Sequence, residues 1–230
     1  MNQLHTTGII LTRIDYGEAD RIITLLTPDY GKLRLMAKGV RRVNSKLAGG
    51  IELFSVSNVN FIKGRGEIGT LVSTRLLNHY GSIIQNIERV QLGYELIKIL
   101  NKITQDALEE EYFTMLEQTF AALDDQLIDS KLIECWFYAQ LLTYGGFTPN
   151  LSHDVDGTRL AADKKYTFDF DDNAFFNADN GKISVDDIKF LRLVFSGNNP
   201  KKLHHIQGIS QLLPNCLNLT RVLFHQHLQV

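Results

Sequence analysis

The chain has 230 residues, 44% of them hydrophobic and 22% charged, with a formal net charge of −2. That is the composition of an ordinary soluble globular protein of one or two domains with a sizeable core, and no apolar run approaches the ~20 residues of a membrane span. The two cysteines, Cys135 and Cys216, form no spaced pair, which argues against a disulfide framework and for a reducing, cytoplasmic setting.

The N-terminus lacks the cationic segment and long apolar run of a signal peptide. The first part of the chain reads as strands. Thr7–Ile14 is β-rich, Asp15–Asp20 is a turn, and Arg21–Thr27 is a second strand. Pro28-Asp-Tyr-Gly31 turns the chain again, with proline and glycine in favourable places. Lys32–Ala37 alternates Leu33, Leu35 and Ala37 against Lys32, Arg34 and Met36, a half-buried pattern. Ile51–Lys63 reads as one long strand, Gly64–Glu67 as a turn and Ile68–Arg75 as the return. Five short strands separated by turn signals predict a small closed barrel, which also removes exposed sheet edges.

The period then changes. Ile83, Ile87, Val90, Tyr94 and Ile97 recur at helical spacing, as do Phe113, Leu116, Phe120 and Leu123, then Ile133, Trp136, Phe137 and Tyr144. Such stripes are core faces. Residues 146–183 are polar and read as irregular. Ser184-Val-Asp-Asp187 reads as a helix start with acids in its first turn, where they suit the helix dipole. The last helical stretches are Leu203–Leu213 and Asn215–Leu228, with Pro214 as a break or kink. The period change divides the chain into domains at 1–80 and 81–230. Residues 1–80 hold 11 Lys/Arg against 6 Asp/Glu, and residues 81–230 hold 13 against 20. This asymmetry suggests different partners for the two parts.

The strongest local signal is Lys38–Gly50. It carries Lys38, Arg41, Arg42 and Lys46, no acid, and flanking glycines. Guanidinium and ammonium groups neutralise phosphates, and glycines let the main chain come close. A solvated loop is the plain alternative. Arg34, Lys63 and Arg65 lie on the neighbouring strands and turn, completing a candidate nucleic-acid-binding set. Tyr16, Tyr30, Phe54 and Phe61 belong to the same domain and are candidates for stacking on bases, the two phenylalanines equally for the core.

Other motifs fail on chemistry. Gly64-Arg-Gly-Glu-Ile-Gly69 matches a dinucleotide pattern, but β-type residues follow it where a helix is needed. Asp169–Asn173 opens like a calcium loop, yet Ala174 and Asn180 stand where glycine and glutamate are required. The seven histidines and two cysteines form no zinc spacing, and no nucleophile signature exists. The expectation is a non-enzyme.

Several strings resemble the RecO family of bacterial recombination and DNA-repair proteins. They are Asp15-Tyr-Gly-Glu-Ala-Asp-Arg-Ile22, Leu25-Leu-Thr-Pro28, Ala37-Lys-Gly-Val-Arg-Arg42, Ser45-Lys-Leu-Ala-Gly49 and Leu141-Leu-Thr-Tyr-Gly-Gly-Phe-Thr-Pro149. The resemblance implies an α+β chain, an N-terminal five-stranded OB-fold barrel followed by an α-helical domain with an irregular polar insertion. It implies binding of single- and double-stranded DNA, strand annealing and help in loading recombinase. The implied partners are RecR and the acidic tail of single-strand-binding protein, with no membrane. Many members carry two Cys-x-x-Cys pairs in the loop after the helix-to-loop junction. Here that loop has His153 and Asp156 and no cysteine, so no cofactor is expected and no metal. Phe168, Phe170, Phe175 and Phe176 are expected to hold the loop by packing. The acidic tail calls for an apolar groove with a basic rim, for which Lys131, Lys189, Arg192 and Arg221 are among the candidates. Without the resemblance, an RNA-binding barrel is the runner-up reading of these residues and a non-catalytic interaction scaffold the third.

Overall fold

Turn residues cut the first part of the chain into strands, and the computed structural model closes those strands into a barrel. The structure describes residues 3–64, 66–104 and 110–228. It divides into two units, Met1–Asp125 and Gln126–Val230.

In the first unit, β1 (Gln3–Tyr16), β2 (Asp20–Thr27), β3 (Gly31–Ala37), β4 (Ser55–Ile62) and β5 (Ile68–His79) form the closed order β1-β2-β3-β5-β4. All neighbours are antiparallel except β3 and β5. This is the expected OB-fold barrel. Ile10, Ile23, Leu25, Leu35, Val59 and Phe61 fill it. The fourth strand is shorter than the expected 51–63. Ala48–Gly50 coils into a 3-10 turn, Ile51 plugs the barrel core, and Phe54 takes a left-handed φ of 56°. A left-handed residue ends an extended run.

α1 (Ile87–Ile103) starts at Asn86, whose side chain accepts hydrogen bonds from the Glu88 and Arg89 amides. α2 (Glu110–Asp124) follows. The Phe54 ring meets Tyr94 of α1 and Phe120 of α2 edge-on, at centroid distances of 5.5 and 5.4 Å. Gly93 leaves room for it: a Cβ there would lie 2.6 Å from Phe54 Cε1. The buried Arg89 donates to the Leu123 carbonyl at 2.8 Å, satisfying an orphan acceptor at the end of α2. These contacts join α1 and α2 to the barrel. The unit boundary therefore falls at 125/126, beyond the change of period at residue 80.

In the second unit, α3 (Ser130–Tyr144) lies against α4 (Val185–Phe195) and α6 (Ile209–His227), with the short α5 (Pro200–Leu203) between the last two. Ser184 and Asp187 make a reciprocal capping box at the start of α4. Of the break or kink expected at Pro214, the break is absent: α6 continues through it as one helix. Pro214 lies in the second turn, so its ring removes one backbone bond, and the buried Leu213, Cys216 and Leu217 hold both sides. The polar insertion contains a three-stranded sheet, β6 (Lys165–Asp169), β7 (Ala174–Asn177) and β8 (Ile183–Ser184), in the order β7-β6-β8. Asp154 Oδ1 accepts from the Thr158 amide at 2.7 Å, and Asp169 Oδ1 from the Asp171 amide at 2.9 Å. Side chains thus organise the turns that composition alone reads as irregular. Phe168 and Phe175 are buried 4.9 Å apart, with Phe170 at their edge. Phe176 instead faces outward.

Cys135 and Cys216 are both buried in this unit. Burial pushes the Cys135 thiol up to about 12 and raises Cys216 as well. Only the thiolate reacts. In the native protein at neutral pH both thiols should therefore be labelled no faster than the unit opens. Denaturant should release two equivalents of rapid reaction with a colorimetric disulfide reagent. Rapid labelling of the native chain would contradict this packing.

Candidate nucleic-acid interface

The basic loop leaves β3 and is fixed by its main chain. Gly39 adopts a φ of 64°, and its amide donates to Asp20 Oδ1 at 2.7 Å. The Arg41 amide donates to Ala19 O at 2.9 Å. These two bonds stitch the loop to the β1–β2 turn. Val40 turns inward and is buried in the barrel core, so the residues around it are driven outward. Farther along, Gly50 lies against Thr74, where a Cβ would come within 2.3 Å of Oγ1. The loop is therefore anchored at one end by a glycine in the left-handed conformation and at the other by a position whose size is restricted.

Lys38, Arg42 and Lys46 are exposed and form no ion pair among the described residues. Arg41 is different. Its Nε lies 3.5 Å from Asp15 Oδ2, and its Nη1 donates to Gly17 O at 3.3 Å. Arg21 donates to the other oxygen of Asp15 at 2.7 Å. The Arg21 hydrogen bond, with Arg41 adding, holds the Asp15 carboxyl below the usual carboxylate range.

A second basic group gathers at a cleft of about 610 Å³ beside β3 and the β4–β5 turn. Tyr30, Lys32, Arg34, Phe61 and Lys63 line it. Arg34 reaches the cleft through the parallel register that places it opposite Ile68. Its Nη1 is 3.7 Å from Glu67. Tyr30 is partly exposed and meets the buried Phe61 edge-on at 5.5 Å. Lys32 Nζ donates to Asn101 O at 2.6 Å and to its Oδ1 at 3.1 Å, committing that ammonium to the last turn of α1.

The expected residues thus fall into two places. Lys38, Arg41, Arg42 and Lys46 share the loop beside the β1–β2 turn, and Arg34 and Lys63 share the cleft. Arg65 lies outside the described residues. Along β3, Arg34 and Lys38 are separated by about 13 Å at ordinary strand rise. Phe54 and Phe61 are both core residues, which leaves Tyr16 and Tyr30 as the exposed rings. Sequence reading missed Lys32 as a cleft residue, although its place on the polar face of the β3 alternation was the signal for it. No group of three His, Cys, Asp or Glu converges as metal ligands among the described residues, and no described helix is long and apolar enough to cross a membrane.

The acidity of the helical part is also localised. Residues 81–125 hold 3 Lys/Arg against 9 Asp/Glu, whereas 126–230 hold 10 against 11. The acid belongs to α1, α2 and their flanks, within the barrel's own unit.

Two family models match the chain. The one described as Recombination protein O N terminal covers residues 1–80, and Recombination protein O C terminal covers residues 84–230. Among curated relatives, DNA repair protein RecO of Halalkalibacterium halodurans is 30% identical over 149 residues, which is 64% of this chain and 58% of that protein. DNA repair protein RecO of Dehalococcoides mccartyi is 28% identical over 206 residues, 88% of this chain and 77% of the relative. That of Acetivibrio thermocellus is 33% identical over 172 residues, 72% of this chain and 66% of the relative.

Proposed function

The chain belongs to the RecO family, and on that premise we propose that it is a DNA repair and recombination mediator. It binds single- and double-stranded DNA, anneals complementary strands and assists recombinase loading, without catalysing a covalent step. The observation that carries this reading is the pairing of an anchored loop bearing exposed cations with a basic, tyrosine-edged cleft on one OB-fold barrel. The fold's ligand face is its second and third strands with the adjoining loops, and these cations border that face. Backbone cations give affinity without sequence readout, and exposed rings accept any base. The same chemistry accepts RNA, since nothing in the cleft is specific for the absence of a 2′-hydroxyl. A competition titration separates the two. Unlabelled DNA should displace a labelled DNA strand at least as well as RNA of equal sequence, and the full chain should accelerate annealing of complementary DNA. Preferential displacement by RNA with no annealing would replace this reading by an RNA-binding module.

RecR and the tail of single-strand-binding protein are the proposed protein partners. A groove of about 360 Å³ between the small sheet and α6 supports the second. Phe168, Phe170 and Leu219 make its floor and Lys182 its basic edge. Three of the cations first expected at such a rim are otherwise engaged. Lys189 pairs with Asp186, Arg221 with Glu134, and Arg192 donates to Leu151 O.

Asp15 gives an internal control on the barrel site. Its carboxylate competes with phosphate for Arg21 and Arg41. Asp15→Asn should tighten single-strand binding by roughly threefold at low salt and steepen the salt dependence by up to about one unit. Weaker binding, measured by anisotropy at several salt concentrations, would show that Asp15 positions the site instead of competing with it.

A further inference from the structure

Residues 188–230 contain five Lys/Arg and four His and not one of the chain's 26 acids. Three of those five cations are engaged. Lys189 Nζ is 2.9 Å from Asp186, Arg221 Nε donates to Glu134 at 3.0 Å, and Arg192 Nε donates to Leu151 O at 2.7 Å. Lys201 and Lys202, on α5, are exposed and form no ion pair among the described residues.

The local backbone holds these two lysines in place. Asn199 Oδ1 accepts from the Lys202 amide at 3.1 Å, and Pro200 presets the first helical φ. Pro200 and Leu203 are buried on either side of the lysine pair. The His204 amide closes on Pro200 O at 3.0 Å, and the Ile206 amide on Leu203 O at 3.0 Å. His204 and His205 follow with ring centroids 3.8 Å apart and tilted by 41°. Each imidazole brings an N–H donor and a flat ring face. The construction repeats that of the barrel loop. There Val40 is buried among outward cations, and here Pro200 and Leu203 are. A fixed backbone lowers the ordering cost of binding.

Two adjacent ammonium groups and imidazole donors, on a stretch of chain that carries no acid of its own, fit a phosphodiester backbone, and the histidine rings fit the faces of unstacked bases. We propose that α5 and the two histidines after it form a second nucleic-acid backbone site, carried by the unit 126–230, for a second single strand. This rests on the reading of the barrel as the first DNA site. One chain then holds two strands, which raises their effective concentration for pairing.

The test uses the full chain and a non-complementary oligothymidylate of about 15 nucleotides, titrated at low salt to give stoichiometry. The wild type should take up two oligomers per chain. Lys201→Ala/Lys202→Ala, and separately His204→Ala/His205→Ala, should remove the weaker event, leave the tighter one unchanged and slow strand annealing about tenfold. Loss of the two lysines should lower the summed single-strand salt slope by about 1.4 units. One oligomer per wild-type chain, or two in the lysine variant, overturns the proposal. So does a lysine variant that keeps both oligomers but no longer binds a poly-glutamate peptide, since the patch then serves an acidic protein. Arg41→Ala/Arg42→Ala is the separate arm. If it leaves the tighter event intact, the loop drops out of the barrel reading and only the Arg34–Lys63 cleft still carries it, whatever the lysine variant does.

Discussion

Arg41→Ala/Arg42→Ala should weaken single- and double-stranded DNA binding alike, by about tenfold or more at low salt, and flatten the salt dependence by about one to two logarithmic units. The two arginines do not contribute equally. Arg42 is exposed without an ion pair, so its guanidinium is available to phosphate directly. Arg41 must leave Asp15, 3.5 Å away, before it serves a strand. Arg42→Ala alone should therefore account for most of the lost slope. Both guanidiniums project from a loop held by Val40, Asp20 and Ala19 through groups that neither substitution touches. Circular dichroism and thermal unfolding should stay close to wild type. Unchanged affinity and slope in the double variant would remove the loop from the DNA site and leave the Arg34–Lys63 cleft as the remaining barrel candidate.

Phe54→Ala should lower the stability of the first unit by about 3–5 kcal/mol, the usual cost of truncating a buried phenylalanine. Phe54 is 2% exposed and lies between Tyr94 and Phe120, so its loss opens the seam between the barrel and its two helices. Gly93→Ala attacks the same seam from the other side, by forcing a methyl to within 2.6 Å of the ring, and overpacking of this kind costs about 1–3 kcal/mol. The chain supplies its own reporters. Its only tryptophan is Trp136, in α3 of the second unit, so urea unfolding followed by Trp136 fluorescence reads that unit. Far-UV circular dichroism reads both. In either variant the dichroism should lose structure at lower urea than the fluorescence. Coincident shifts of both signals would show that the two units unfold together.

The barrel was legible because its punctuation is local. Asp15–Asp20, Pro28–Gly31 and Gly64–Glu67 mark turns by residue type alone, and alternation along β3 marks its buried face. The early end of the fourth strand was not legible. Ile51 and Phe54 read as β residues, but both are claimed by the interior, and Phe54 adopts a left-handed backbone to meet α1 and α2. That is a tertiary demand overriding propensity. The continuity of α6 through Pro214 has the same origin. At the site, composition identified the cations but not their occupation. Whether Arg41 faces Asp15, or Lys32 faces Asn101, depends on partners far away in sequence. Arg34 and Lys63 share a cleft because β3 and β5 run parallel in one register, a non-local pairing that local pattern does not encode.

On the proposed reading of the cleft as a DNA site, the bond from Lys32 to the end of α1 ties ligand and scaffold into a single equilibrium. The ammonium lies in the cleft wall while it holds Asn101 O at 2.6 Å. A phosphate entering the cleft pulls on that charge, and each increment of attraction is subtracted from the seating of the helix. The coupling runs both ways with equal magnitude. A protein that grips α1 and shifts its last turn alters the strand's dissociation constant without touching the strand, and a bound strand alters that protein's affinity by the same factor.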